Sequence, residues 1–355
     1  MPESESANRA VVLKAKPPAR PLAAADPNNF EIVERPLPPL AEGEVRLRNI
    51  YLSLDPYMAS YMLGQHPVGV PIEARVVSQV AESRNPAFAA GDLVWGFFGW
   101  ELFTTLPASL ADRKGYAVTA NRIDPAAWPK GAPISHAVSV LGMPGLTAHA
   151  GLVDIGRPRA GETVYVSSAA GAVGQIAGQI AKLKGCRVVG SAGGDDKVDY
   201  CLSLGFDAAF NYKTVPNGIE AALRQNCPDG IDIYFDNVGG ETLEAALNLM
   251  NAHGRVPICG MISTYGRDDG VRNLFRAVRQ RLTLTGFTVY DYFPQRMPAF
   301  LAEMGAWFAA GRVRYAESIV DGLDNLPLAF ADMLAGRQGV GKCLVRVADD
   351  PLPAA

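Results

Sequence analysis

The stretch Val164-Tyr-Val-Ser-Ser-Ala-Ala-Gly-Ala-Val-Gly174 decides the fold of this chain. Its β-branched beginning, Thr163 to Ser167, predicts a short strand, and Ala169-x-Gly171-x-x-Gly174 predicts a tight turn after it. A glycine at position 171 lets the backbone approach a pyrophosphate, and a glycine at position 174 lets the next helix pack close to the strand. The free N–H groups at the start of that helix favour a phosphate.

The residues after this turn predict a helix and then a second strand, at 186–190. Apolar residues recur at the spacings i, i+3, i+4 and i+7, which gives the helix one face for packing against a sheet. These residues are Val173, Ile176, Ala177 and Ile180. The pattern is typical of a dinucleotide-binding βαβ unit, although Ala169 replaces the usual first glycine. The alternative is a tight turn in some other α/β fold.

The end of the second predicted strand indicates which dinucleotide is bound. Enzymes that bind NAD usually place a carboxylate there, about 20 residues after the first glycine, to hold the ribose 2′-hydroxyl. This chain has Gly190-Ser-Ala-Gly-Gly194 instead, followed by Lys197. An uncharged loop with a lysine behind it favours a 2′-phosphate, hence NADP(H), unless Lys197 is only a solvated helix residue. Asp195 and Asp196 are typical of a helix N-terminus.

Length and composition restrict the class of protein. A chain of 355 residues with 48% hydrophobic residues can bury a large core, and two domains are expected. The formal net charge of −3 argues against general nucleic-acid binding. The polar first residues lack a signal-peptide core, and no run of about 18 apolar residues predicts a membrane span.

The cysteines and histidines do not form a metal-binding pattern. The 5 cysteines are scattered without a C-x-x-C pair, which is typical of reduced thiols in a cytoplasmic protein. The 4 histidines lack metal-ligand spacing and are expected to be structural. We therefore predict no metal site.

The character of the chain changes near Leu141-Gly-Met-Pro-Gly145. Before this point, short strands of alternating polarity predominate, as in Glu44 to Tyr51. After it, strands and helices alternate, which predicts a doubly wound parallel sheet. This part includes a helix near 241–251 and a strand at 281–289. A short β tail at 342–347 closes the chain.

Several ordered sequence blocks carry a resemblance to a known family. They are Leu52-Ser-Leu-Asp-Pro-Tyr-Met58, Gly142-Met-Pro-Gly-Leu-Thr-Ala148, Ala169-Ala-Gly-Ala-Val-Gly174, Gln179-Ile-Ala-Lys-Leu-Lys-Gly-Cys186, Leu204-Gly-Phe-Asp207, Asn211-Tyr-Lys213, Phe235-Asp-Asn-Val-Gly-Gly240 and Ile258-Cys-Gly-Met-Ile-Ser-Thr-Tyr265. The chain resembles the zinc-independent medium-chain dehydrogenases/reductases, specifically the NADPH-dependent alkenal/one double-bond reductases. That group includes the prostaglandin reductases, the plant double-bond reductases and bacterial curcumin reductase.

The resemblance implies a fold and an activity. Residues 1–139 and 318–355 would form a GroES-like β domain, and residues 140–317 a Rossmann domain that binds NADP. The implied reaction reduces the C=C bond of an α,β-unsaturated aldehyde or ketone, by hydride transfer to the β-carbon and protonation of the enolate. A homodimer is also implied, and the strand predicted at Leu282 to Val289 is a plausible edge for pairing two sheets.

The same resemblance implies which residues contact the cofactor. The positions are Ala170, Gly171, Ala172, Val173, Gly174, Gly194, Lys197, Tyr212, Asn237, Cys259, Gly260, Met261, Ile262, Ser263, Thr264, Tyr265, Phe287, Thr288, Val289 and Gly339. Gly171 to Gly174 would hold the pyrophosphate, and Lys197 with Tyr212 the 2′-phosphate. Two positions depart from the family pattern: Ala59 stands where an arginine is frequent, and Gly339 where an asparagine is common.

Two tyrosines are candidates for the chemistry. An enolate needs a hydrogen-bond donor and then a proton, which a tyrosine hydroxyl can supply. Tyr265 follows a predicted strand whose carboxyl end faces the ligand crevice; the alternative is a residue that only packs against the cofactor. Tyr57 would face the pocket from the β domain, or form its wall or part of the core. Trp100 and its aromatic neighbours are expected in the core rather than over the substrate.

Other functions remain open at this point. A quinone reductase, or an oxidoreductase of ketones and secondary alcohols, would use the same fold and cofactor. A zinc alcohol dehydrogenase is disfavoured by the missing cysteine cluster. A non-enzymatic NADPH-binding scaffold is the alternative from a different class.

Overall fold

The structure is a computed structural model, and it describes residues 7–16, 26–64, 66–111, 120–265 and 270–352. The chain divides into two structural units. Unit 1 consists of Met1–Val138, Ser318–Gln338 and Cys343–Ala355, and unit 2 of Ser139–Glu317 and Gly339–Lys342. The two ends of the chain therefore share one unit, and the central part folds as the other.

Unit 1 is built on antiparallel strands, as the alternating polarity of its sequence predicts. Its amino-terminal part contains β1 (Ala7–Leu13), β2 (Phe30–Pro36), β3 (Val45–Ser53), α1 (Tyr57–Gly64), β4 (Glu73–Ser83), β5 (Leu93–Gly99), β6 (Phe103–Leu106), α2 (Ala108–Ala111) and β7 (Asn121–Ile123). Strands β1 and β2 form a two-stranded sheet, and β3, β4, β5 and β7 are neighbours, in that order, in a larger one. Strand β6 pairs with the first half of β3, from Val45 to Arg48.

Unit 2 contains a six-stranded parallel sheet in the order β10-β9-β8-β11-β12-β13. Its elements are α3 (Met143–His149), β8 (Thr163–Ser167), α4 (Gly174–Leu183), β9 (Arg187–Ala192), α5 (Asp195–Ser203), β10 (Ala208–Asn211), α6 (Gly218–Asn226), β11 (Ile231–Phe235), α7 (Gly240–Leu247), β12 (Met250–Ile258), α8 (Phe275–Gln280), β13 (Thr283–Gly286) and α9 (Met297–Ala309). A π-helical segment, Ala150–Gly156, continues α3. The strand order reverses between β8 and β11, and dinucleotides bind at such a switch point.

The last part of the chain adds β14 (Glu317–Asp321), α10 (Leu326–Leu334) and β15 (Lys342–Arg346). Strand β15 runs antiparallel to β3, with Leu344 opposite Ser53, and β14 lies beside β15. The predicted β tail therefore joins the sheet of unit 1. The fold class, an α/β chain with an antiparallel domain and a doubly wound parallel sheet, is confirmed.

Three predicted elements of unit 2 have different bounds in the structure. The strand expected at 186–190 is Arg187–Ala192, and the other two differ more. The helix expected to reach residue 251 ends at Leu247, and β12 already begins at Met250. Residues 250–254 carry no β-branched side chain, so the pairing of β12 with β11, in which Met250 lies opposite Ile231, and not local propensity, makes them a strand. The strand expected at 281–289 is limited to Thr283–Gly286. None of the helices in the described ranges is long and apolar enough to cross a membrane.

Candidate functional site

The glycine-rich turn brings the start of α4 against the end of β8. Ser168 has a left-handed backbone (φ 50°), and its carbonyl accepts a 3.0 Å hydrogen bond from the N–H of Gly171. A Cβ at Gly174 would lie 2.3 Å from the Ser168 carbonyl oxygen and 2.8 Å from Ala169 Cα. Because both neighbours are backbone atoms, only glycine fits at position 174. The N–H groups and the partial positive charge at the start of α4 suit a phosphate.

Residues near the carboxyl end of unit 2 pair with this turn. The N–H of Gly341 donates to the Ala170 carbonyl at 2.8 Å. Gly341 has φ 84°, and a Cβ there would lie 1.9 Å from the carbonyl oxygen of Ala316. Gly339, exposed in unit 2, precedes this pairing by two residues. The backbone therefore brings the segment of Gly339 to the turn, whereas Gly339 has no side chain for a cofactor contact.

Two glutamines of α4 fix the segment that Gly341 meets. The fully buried Gln175 donates to the Ala316 carbonyl at 3.2 Å and accepts from the Ala316 N–H at 3.0 Å. Gln179 does the same with both backbone groups of Arg314, at 2.8 Å each. These amides were not singled out from the sequence, because their partners lie about 140 residues away.

The loop beyond the end of β9, where the 2′-phosphate was predicted, lies beside Lys197, Tyr212 and Lys213, and we call this group of side chains the cationic pocket. A Cβ at Gly193 would lie 3.1 Å from Tyr212 Cε1 and Oη and 3.1 Å from Lys213 Cε, so both side chains fold over this loop. Gly194 is the N-cap of α5, and Lys197 lies in the first turn of that helix. Burial lowers the pKa of Lys197, and the charge of Lys213 lowers it further against the opposing effect of Asp196.

The loop after β11 is held by a buried carboxylate. Asp236 Oδ1 accepts hydrogen bonds from the Tyr234 hydroxyl at 2.6 Å, the Val238 N–H at 2.9 Å and the Gly239 N–H at 2.8 Å. Asn237 is anchored to the end of β8, because its Nδ2 donates to the Ser167 carbonyl at 2.8 Å. Burial raises the pKa of Asp236 above its usual value, although its hydrogen bonds oppose the shift.

The predicted nicotinamide segment, Cys259 to Tyr265, is anchored to the same loop. The N–H groups of Cys259 and Gly260 donate to the Asp236 carbonyl at 2.8 and 3.1 Å, and Ser263 Oγ donates to the Val238 carbonyl at 2.7 Å. Met261, Ile262, Ser263 and Thr264 lie in a short 3₁₀ turn or at its start, and Ile262 is 36% exposed.

Tyr265 ends the turn and is partly buried. Burial raises the pKa of its hydroxyl, with a smaller contribution from Cys259. Burial also raises the pKa of the Cys259 thiol, to about 12. Both groups are therefore neutral at physiological pH, and the hydroxyl of Tyr265 retains its proton.

The predicted residues after β13 divide between packing and exposure. Phe287 packs edge-on against Phe235, with ring centroids 6.5 Å apart, and its Cζ would lie 2.5 Å from a Cβ at Gly151. Val289 is buried, and Thr288 caps a 3₁₀ turn by accepting the Tyr290 N–H. Phe287 and Thr288 thus have structural roles, in packing and in capping, that the sequence did not reveal.

The unit 1 candidates lie among apolar side chains. Tyr57 begins α1 and packs, partly buried, against the core of that unit. Trp100 is fully buried there, and its indole N–H donates to the Ser53 carbonyl at 3.2 Å, which confirms its expected core role. Ala59 is also buried, so the small side chain at this position fits its surroundings.

The site residues of unit 2 therefore converge on the carboxyl ends of β8, β9, β11 and β12. The structure adds Lys213, Asp236, Gln175 and Gln179 to those chosen from the sequence. No group of three or more His, Cys, Asp or Glu side chains in the described part of the chain is arranged to hold a metal ion. The five cysteines are free thiols.

Two family models match the chain. The model of an N-terminal domain of oxidoreductases covers residues 9–111, and that of zinc-binding dehydrogenases covers residues 172–306. The second model takes its name from zinc-binding relatives, and the described part of this chain brings no three His, Cys, Asp or Glu side chains together for such an ion.

Proteins of known activity are similar along nearly the whole chain. A 2-alkenal reductase (NADP(+)-dependent) of Nicotiana tabacum is 42% identical, over 87% of this chain and 89% of that protein. Prostaglandin reductase 1 of Rattus norvegicus is 44% identical, over 90% of this chain and 94% of that protein. The solved structure of CurA from Vibrio vulnificus in complex with NADPH has a TM-score of 0.85 and 35% identity, over 96% of this chain and 99% of that one.

Proposed function

The chain belongs to the NADPH-dependent alkenal reductase group of the medium-chain dehydrogenases/reductases, and we propose that it reduces the C=C bond of α,β-unsaturated aldehydes and ketones with NADPH. One observation carries the proposal: unit 2 brings the glycine-rich turn, the cationic pocket and Tyr265 to the same edge of one parallel sheet. Ligands of doubly wound sheets bind at this edge.

The pockets along this edge match the parts of NADP(H). The turn at Gly171 and Gly174 and the start of α4 would hold the pyrophosphate. The loop at Gly194 with Lys197 and Tyr212 would hold the 2′-phosphate. The anchored segments after β11 and β12, with Asn237 and Cys259 to Tyr265, would hold the nicotinamide end, and the start of the segment Phe287 to Val289 would support it.

The chemistry requires a hydride donor and a proton donor. When bound, NADPH would supply a hydride to the β-carbon, so that the π electrons of the substrate would move to the carbonyl oxygen and form an enolate. Tyr265 would donate a hydrogen bond to the enolate oxygen and then its proton, which gives an enol. A solvent proton then adds to the α-carbon while the enol proton returns to Tyr265, and the saturated carbonyl compound results. Because burial keeps this hydroxyl protonated, the proton is available at neutral pH. Tyr57 would contribute to substrate contact from unit 1.

A panel of substrates tests this proposal directly. NADPH oxidation is followed by absorbance with a short 2-alkenal, a benzylideneacetone-type enone, a quinone and a simple ketone, with NADH as the control cofactor. Turnover of the enal or the enone with NADPH, and weak turnover with NADH, is expected. Activity on the quinone or the ketone alone would assign the chain to one of those chemistries. NADPH binding without turnover of any compound would favour the scaffold.

We also propose that the enzyme works without zinc and acts in the cytoplasm. The arrangement of its described side chains supports the first point, and its five free cysteines support the second. Metal analysis of the active enzyme, before and after treatment with a chelator, tests the first point. Stoichiometric zinc that is lost together with activity would contradict it.

We further propose that residues 1–139 and 318–355 act as the catalytic domain and residues 140–317 as the nucleotide-binding domain of a homodimer. Strand β13 is an edge of the described sheet, and an edge strand offers backbone groups to a second copy. Leu274, Phe275 and Val278, in or directly before the helix that precedes β13 in sequence, are 51%, 64% and 67% exposed. Apolar exposure of this kind supports an interface.

A further inference from the structure

The cationic pocket beyond β9 contains a lysine that the sequence analysis did not assign to the cofactor. Lys213 directly follows Tyr212 in the loop after β10, and β10 lies beside β9 with Asn211 paired to Ala192. This pairing brings Lys213 Cε to within 3.1 Å of the position that a Cβ on Gly193 would occupy. The Lys213 ammonium lies 6.0 Å from the centre of the Tyr212 ring. The lysine thus extends over the loop that would receive the ribose 2′ position.

The charges around this loop show why one lysine is insufficient. Asp196 acts electrostatically on Lys197, so the single positive charge predicted from the sequence is offset by a neighbouring carboxylate. Asp195 is a hydrogen-bond acceptor for Asn211 Nδ2, at 2.7 Å, and adds a second negative charge nearby. A phosphate monoester carries about −1.5 to −2 charges at pH 7. A second cation is therefore required to balance the second carboxylate and to give the phosphate another charged partner.

Lys213 meets this requirement because its own charge is not neutralised. Among the described residues, its ammonium lies within 4.0 Å of no carboxylate, whereas Lys182 pairs with Asp207 at 2.8 Å. The effect of Lys213 on the pKa of Lys197 shows that the two ammonium groups act on the same small region.

We propose that Lys213 is a second determinant of NADP(H) over NAD(H), binding the 2′-phosphate together with Lys197 and Tyr212. The inference rests on the proposed function, because it takes NADP(H) as the cofactor. In this arrangement the two ammonium groups balance the charges of Asp195 and Asp196 and contact the phosphate directly, and the Tyr212 hydroxyl provides a neutral donor.

The test compares two nucleotides that differ only in the 2′-phosphate. Binding of 2′,5′-ADP and of 5′-AMP is measured by isothermal titration calorimetry for the wild type, Lys213→Met and Lys213→Gln. Methionine keeps the long stem beside Gly193 and removes the charge. The matched control, Lys130→Met, removes the same charge from an exposed residue of unit 1. We expect the Lys213 variants to bind 2′,5′-ADP about tenfold more weakly, to bind 5′-AMP unchanged and to show a smaller salt dependence.

The outcomes separate this inference from the proposed function. If both Lys213 variants bind 2′,5′-ADP as tightly as the wild type and the Lys130 control do, Lys213 has no role in the pocket, while the NADPH assignment stands. If the wild type itself does not prefer 2′,5′-ADP over 5′-AMP, the assignment of NADP(H) is wrong. If the Lys213 variants lose the same affinity for both nucleotides, Lys213 supports the loop and does not bind the 2′-phosphate. If the Lys213→Met variant is unstable, the binding of the two nucleotides by Lys213→Gln tests the role of the lysine.

Discussion

The hydroxyl of Tyr234 donates a 2.6 Å hydrogen bond to Asp236 Oδ1 inside the parallel sheet, at the end of β11. The same oxygen accepts two backbone N–H groups of the following loop, whereas Asp236 Oδ2 is buried without a hydrogen-bond partner among the described residues. The backbone carbonyl of Asp236 also accepts from Cys259 and Gly260. This residue therefore connects the two loops that carry the proposed nicotinamide contacts.

The first prediction separates the shape of Asp236 from its charge. Asp236→Asn keeps an oxygen acceptor for all three donors, so its free energy of unfolding at pH 7 is expected within about 1 kcal/mol of wild type. Asp236→Ala leaves buried donors without a partner and is expected to cost about 2–3 kcal/mol and to raise the KM for NADPH. Urea unfolding and steady-state kinetics measure both. An asparagine variant as unstable as the alanine variant would show that the negative charge is needed.

The raised pKa of Asp236 also predicts a pH dependence of stability. Burial disfavours the Asp236 carboxylate in the folded state and raises its pKa. The contribution of this carboxyl group to the free energy of unfolding is therefore fully present below the unfolded pKa of about 3.9, and it is lost as pH rises through the folded pKa. Removing the charge with Asp236→Asn is expected to abolish this loss. Urea unfolding of the wild type and the variant at several pH values measures this effect. If the difference between their free energies of unfolding is the same at every pH, the prediction is wrong.

The proton-donor role of Tyr265 predicts a selective loss of turnover. Tyr265→Phe is expected to lower kcat about a hundredfold or more, with little change in the KM for NADPH. Tyr51→Phe is the control, since it removes a tyrosine hydroxyl that binds Asp350 in unit 1. Because burial raises the pKa of Tyr265, the wild-type rate is expected to show no loss from this group until above about pH 10. An unchanged kcat in the phenylalanine variant would reduce Tyr265 to a packing residue.

The glycine-rich turn predicts a steric effect that depends on position. Gly174→Ala forces a Cβ against backbone atoms of Ser168 and Ala169. It is expected to cost about 1–3 kcal/mol of stability and to weaken NADPH binding. Gly64→Ala is the control, because a Cβ there meets no atom within 4 Å and the residue lies in a helix. Urea unfolding and calorimetry with NADPH compare the two. A fully stable Gly174 variant with normal binding would mean that α4 can move away from β8.

Local sequence patterns were sufficient for part of this structure. The strand at Thr163–Ser167 has the predicted bounds, and Gly174 lies where α4 begins, because periodicity and turn chemistry act over a few residues. Lys213 and Asp236 were missed, since their roles depend on β10 lying beside β9 and on β11 lying beside β8. The start of β12 was missed for the same reason: its strand conformation comes from neighbours distant in sequence. The cationic pocket and the hydrogen bonds around Asp236 form only when these strands pair, so local sequence patterns do not predict them.

The proposed homodimer interface, at β13 and α8 of unit 2, predicts that two substitutions on α8 prevent dimer formation. Phe275 and Val278 are three residues apart on α8 and share one face of that helix. Phe275→Asp and Val278→Asp place a charge in the proposed interface, and desolvating an unpaired charge opposes association. We expect a wild-type dimer and variant monomers by size-exclusion chromatography with light scattering. Leu328→Asp introduces the same charge at a 55% exposed leucine of α10 and is expected to leave the dimer intact. A monomeric wild type, or aspartate variants that remain dimeric, would rule out this edge as the interface.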